Sequence, residues 1–170
     1  MDAKNYSPAL MAGATISSAQ ITDGTLTRSD MSGPAYRKSL PAVSATVATT
    51  GNTDCYMIVP ETGTIDGIDF SGVDALAAHD SNYITFSVTN LGQAGAGTAA
   101  VLAATDANTT KATGGTAIAA NTKRSLTLTG TAADLVVTAG DRLRIRAAAT
   151  GTLANTVTFP AYVIRFGGTT

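Results

Sequence analysis

The sequence predicts an all-β fold: an antiparallel β-sandwich, jelly-roll-like, preceded by an extended N-terminal arm. Three observations carry this. Leu143, Ile145, Ala147 and Ala149 alternate with Arg142, Arg144, Arg146 and Ala148, the period of two expected of a strand with one buried face. Ile84, Phe86 and Val88 alternate in the same way with Tyr83, Thr85, Ser87 and Thr89. Turn-forming residues break the chain repeatedly after Pro41, and no long stretch carries the helical period.

Residues 1–41 stand apart from this pattern. Met11, Ile16, Ile21, Leu26 and Met31 recur every five positions. Five fits neither the helical period of 3.6 nor the strand period of 2. One large apolar residue in five buries too little surface to offset the entropy of ordering. The segment is therefore expected to be loose alone and to order when these side chains find pockets on another surface. Ser32-Gly33-Pro34 ends the pattern, Arg37-Lys38 reads as a solvated hinge, and a domain follows at 42–170.

Within the domain, Ala42–Thr49 alternates weakly. Asp54–Val59 is apolar on both faces, which predicts a central strand. Pro60-Glu61-Thr62-Gly63 turns the chain into Thr64–Phe70, where Ile68 and Phe70 face inward and Gly67 suggests a bulge. Val73–His79 reads as a loop or a single helical turn. Asn82–Thr89 is a strong strand, and Leu91–Gly97 a turn. Thr98–Ala104 and Thr116–Ala120 read as weak strands flanking the polar loop Asp106–Gly115. Arg124–Thr129 places Leu126 and Leu128 inward, and Asp134–Val137 leads into the arginine strand. Val157 and Phe159 share a face, but after Pro160 the apolar set becomes Tyr162, Ile164 and Phe166. That shift in parity predicts a bulge or an edge at Pro160, which has no N–H to give a ladder. The total is about eight to ten strands, and a jelly roll arranges eight.

Composition narrows the function classes. Aromatic residues are 5% and Trp is absent, so the core must be built from Val, Ile, Leu and Ala. Charged residues are 14%, against about 25% in an ordinary soluble domain, which leaves a surface of Thr, Ser, Asn, Gly and Ala. Such a surface costs little to desolvate and suits packing against other subunits. A net charge of -1 gives nucleic-acid binding no electrostatic support. The single cysteine, Cys55, cannot form an intrachain disulfide and lies in an apolar run, as a buried thiol would. The amino terminus lacks the apolar core of a signal peptide, and no apolar run is long enough to cross a bilayer, so synthesis and assembly in a cytoplasm are expected.

Catalytic signals are weak. His79 is the only histidine, with Asp74, Asp80, Ser71 and Ser81 nearby, but there is no GxSxG elbow and a loop histidine is the expectation. One Cys and one His do not make a zinc site. Asp66, Asp69 and Asp74 lack calcium-loop spacing and read as turn carboxylates. The glycines at 92, 95 and 97 do not lie between a strand and a helix, as a nucleotide loop requires. No catalytic residue, cofactor or metal is expected. Arg142, Arg144 and Arg146 project as one stripe about 13 Å long. The stripe is either an outward face balanced by nearby carboxylates or an inter-subunit contact.

Two segments carry a family resemblance. ISSAQITDGTLTRSDM resembles the short extended modules near the amino termini of tailed-phage structural proteins. NYITFSVTNLGQAGAGTAAVLAATDANTT, followed by LVVTAGDRLRIRAAATGTLANTVTFPAYVIRFG, is similar to the β-sandwich of the small capsid decoration (cement) proteins of tailed bacteriophages. The resemblance implies a virion structural protein with no catalytic residues. It would be a homotrimer on the capsid surface, with the major capsid protein and its own copies as partners, and no nucleic acid or membrane. Met11, Ile16, Ile21, Leu26 and Met31 would form the capsid-binding arm. The alternative is a fibre or receptor-binding module held to the virion by its amino-terminal segment.

Overall fold

The computed structural model describes residues 38–42, 45–159 and 161–167. The capsid-arm residues Met11, Ile16, Ile21, Leu26 and Met31 lie outside the described residues. The strands are β1 (Lys38–Ala42), β2 (Ala45–Val47), β3 (Gly51–Ile58), β4 (Gly63–Ser71), β5 (Tyr83–Asn90) and β6 (Ala99–Ala100). They continue with β7 (Lys123–Leu126), β8 (Val136–Val137), β9 (Arg142–Thr150), β10 (Val157–Phe159) and β11 (Ala161–Gly167). Two short helical turns are described: a 3-10 turn at Asp106–Asn108 and α1 (Ala132–Leu135), which precedes β8.

Every strand pair is antiparallel, and the pairs are nested. β1 pairs with β11, β2 with β10, β3 with β9, β4 with β7, and β5 with β6. That is one long hairpin. Two further pairings, β4 with β11 and β5 with β9, roll it over on itself. The result is a sheet ordered β1-β11-β4-β7, with β8 also on β4, and a second ordered β3-β9-β5-β6; β10-β2 forms a small third sheet. This is jelly-roll connectivity. Lys38–Ala42, the last residues of the segment read as arm together with the first of the domain, are thus an edge strand of the first sheet.

The core follows from the alternation. Ile84, Phe86 and Val88 of β5, Leu143, Ile145 and Ala147 of β9, and Tyr162, Ile164 and Phe166 of β11 are all buried. In β4, Ile68 and Phe70 point inward, and so does Ile65 despite its odd number. A bulge resolves the parity: Arg165 pairs with Gly67 while Phe166 pairs with Ile65, leaving Asp66 extra. Gly67 has a further reason to be glycine, because an added Cβ would overlap the Arg165 guanidinium as it crosses to Asp69. Rings join the sheets at the centre. Phe70 of β4 lies 4.6 Å from Phe86 of β5, and Phe159 of β10 meets Phe70 edge-on at 5.1 Å.

One strand differs from expectation. β3 is an edge strand, not a central one. Cys55 on its inner face and Val59 just beyond its end are buried, but Tyr56 and Ile58 on its outer face are 50% and 61% exposed. Apolar content on both faces reflected an apolar outer surface, not two covered faces. Val73–His79 is a loop, one of the two forms expected for it, pinned by an isolated bridge from Leu76 to Ile118. β10 pairs with β2 in the small sheet and β11 with β4 and β1 in the large one, while the bulge or edge expected at Pro160 lies outside the described residues.

Candidate interaction surface

Burial of Leu143, Ile145 and Ala147 turns Arg142, Arg144 and Arg146 outward on β9, and the register sets each beside a different residue of β3. Arg146 faces Asp54 and donates from Nε and Nη2 to its two carboxylate oxygens at 2.6 and 2.7 Å. The donated bonds hold the Asp54 carboxyl below its usual range and push Arg146 up. One arginine of the stripe is therefore balanced within its own chain.

The other two make no salt bridge with a described residue, and Arg144 acts on Asp54 only through space. Arg144 faces Tyr56, and its Nε is buried with no hydrogen-bond partner among the described residues. The Arg142 guanidinium lies over the Tyr56 ring, 5.9 Å from the centroid, and against Gly95, where an added Cβ would overlap it. Neither forms an ion pair with a described residue. The outer face of β3 and β9 therefore presents exposed Tyr56 and Ile58 beside Arg142 and Arg144, which share only the one carboxylate of Asp54 with Arg146.

The residues considered for catalysis do not converge. His79 is exposed, and its Nδ1 accepts the backbone N–H groups of Ser81 and Asn82 at 3.0 and 3.1 Å. Asp74 accepts the N–H of Thr158, while Asp80 accepts the N–H of Thr113 at 2.8 Å, which holds the Asp80 carboxyl low. Asp69 is taken by Arg165 and by the hydroxyl of Ser125 at 2.6 Å. Among the described residues no three potential ligands gather as a metal site would need. Cys55 is buried and unpaired by disulfide, and desolvation pushes its thiol up.

Two residues that sequence reasoning missed hold the loop Asp106–Gly115 in place. Arg124 donates to the carbonyls of Thr116, Ala107 and Thr109 at 2.6, 2.8 and 2.7 Å, and its guanidinium sits 5.5 Å from the Phe86 ring centroid. Burial pushes its pKa down. Asn108 is 1% exposed; its amide donates to Ala103 and Thr127 carbonyls and accepts the Thr127 N–H, each at 2.8 Å. The signal for Arg124 was present: it shares the inward parity of Leu126 on β7.

Comparison of the chain with protein-family models, with curated proteins and with solved structures finds no match.

Proposed function

We propose that the chain is a virion structural protein, a capsid decoration protein whose β body lies on the outer shell while residues 1–37 grip the major capsid protein. The observation that carries this is the five-residue recurrence of Met11, Ile16, Ile21, Leu26 and Met31 immediately before an edge strand. A segment so poor in apolar residues gains little by folding on itself but can place five side chains between the subunits of a shell. Three such arms on a homotrimer would multiply weak individual contacts through effective concentration. The weakly charged, Thr-rich surface supports the same reading, because it is cheap to cover.

The test is deletion of residues 1–37, which leaves β1 intact. The shortened protein should keep the unfolding midpoint of the full chain yet fail to co-sediment with shells of the major capsid protein. Undiminished binding to shells by the shortened protein would end the proposal.

A further inference from the structure

We infer that copies of this chain associate head to tail, with Tyr56, Ile58, Arg142 and Arg144 of one protomer meeting Val136 and Asp134 of the next. This rests on the homotrimer of the proposed function and names its contact.

The inference comes from what the fold leaves unsatisfied. Among the described residues the large apolar side chains left exposed are Tyr56, Ile58, Val73 and Val136, at 50%, 61%, 44% and 49%. Most described charges are spoken for within the chain. Asp54 holds Arg146, Asp69 holds Arg165, Asp106 holds Lys111 at 2.7 Å, and Arg124 is bound by carbonyls. Asp74 and Asp80 accept backbone N–H groups, and Asp141 accepts from Asn90 and Thr138. Arg142 has no carboxylate partner among the described residues, and Arg144 makes no salt bridge but acts through space on Asp54, which Arg146 already holds. Asp134 is the described carboxylate with neither a hydrogen bond nor an ion pair, since Glu61 and Asp66 each have an interaction.

These leftovers sort into two patches of opposite sign. The first joins Tyr56 and Ile58 to Arg142 and Arg144 across the register of β3 and β9. The second joins Val136 to Asp134 at the junction of α1 and β8. Each patch couples exposed apolar surface to unbalanced charge. A protein–protein contact favours this pairing: aromatic and arginine side chains supply most of the energy, and complementary charge sets the register.

The two patches cannot cover each other within one protomer. Val137 is buried in the core, so its neighbour Val136 faces outward from the sheet that contains β4. Val59 is likewise buried at the end of β3, so Ile58 faces outward from the other sheet. The patches therefore look away from opposite sheets. A contact between unlike patches is heterologous, and it closes into a ring when its rotation returns to the start. Three-fold closure is the ring the decoration role requires.

Sedimentation velocity on the full chain tests this. Wild type should sediment as a trimer, three times 17.0 kDa, or about 51 kDa. Ile58→Asp and Val136→Asp alter exposed positions, so each should keep a native far-UV spectrum and sediment as a monomer. Arg142→Asp should also give monomer, and adding Asp134→Arg to it should restore the trimer, a rescue that a purely structural role would not produce. A trimeric wild type whose Ile58→Asp and Val136→Asp variants both stay trimeric overturns the proposed contact while leaving the trimer intact. A wild type that is monomeric throughout removes the trimer itself, and the contact with it.

Discussion

Truncating Phe159 to alanine should be among the most damaging single changes in the body. The side chain is fully buried on β10, a strand that pairs only with β2. Its ring meets Phe70 of β4 at 5.1 Å and 86°, Phe86 of β5 at 5.7 Å and 82°, and Tyr162 of β11 at 5.6 Å. Phe159 is thus a link between the small sheet and both large ones. Truncating a buried Phe costs about 3–5 kcal/mol, counting lost transfer energy and the cavity. Two edge-to-face contacts, worth about 0.5–1.5 kcal/mol each, place this site at the upper end, about 4–5 kcal/mol. For a chain of this length that lowers Tm by about 8–20 °C. It also removes a large share of a total stability of about 5–15 kcal/mol. Urea unfolding followed by far-UV circular dichroism gives the number, with the m value expected to stay constant. Phe159→Leu keeps a large apolar side chain and should lose less than half as much. A loss below about 1 kcal/mol for Phe159→Ala, with a native spectrum, would refute the view that this ring joins the sheets.

Other consequences can be checked alongside. Asn108→Ala removes three hydrogen bonds and strands buried partners, so it should cost about 2–4 kcal/mol in urea titration; a loss within about 0.5 kcal/mol contradicts its role in holding the loop. The donated bonds from Arg146 depress the Asp54 carboxyl in the folded state, so the pair stabilises fully above the unfolded value of about 3.9 and loses this as pH falls through the lower folded value. The stability gap between wild type and Asp54→Asn should therefore be flat above about pH 5 and close in more acid solution; a gap that widens there contradicts the sign. Cys55, buried and with its thiol pushed up, should react with a thiol reagent only at the rate of unfolding; rapid stoichiometric labelling of the native protein would contradict its burial.

The parts of the fold legible in the sequence are those whose pattern is local. β5 and β9 alternate because one side of each faces the core, and the sequence records that at every second residue. The placing of β10 and β11 in different sheets showed as a shift of parity between Phe159 and Tyr162. What could not be read is set by partners far along the chain. Asp54 and Arg146 are 92 residues apart, and only the register of β3 on β9 brings them together. Likewise, whether an apolar strand such as β3 lies at an edge depends on which strands come beside it. Its own residues do not record that. The loop around Asn108 looked featureless because polar side chains and distant carbonyls, not hydrophobic residues, hold it. In the candidate surface, the outward stripe of Arg142, Arg144 and Arg146 was legible, but the salt bridge of Arg146 to Asp54, which sets it apart from the other two, was not.

The central claim is that spacing, not mere composition, lets residues 1–37 grip a shell. Its most direct test is shell co-sedimentation of a chain in which the residues between Met11 and Met31 are permuted, so that composition is kept and the five-residue recurrence is lost. The account predicts an unchanged unfolding midpoint and loss of shell binding. Binding equal to that of wild type would contradict it.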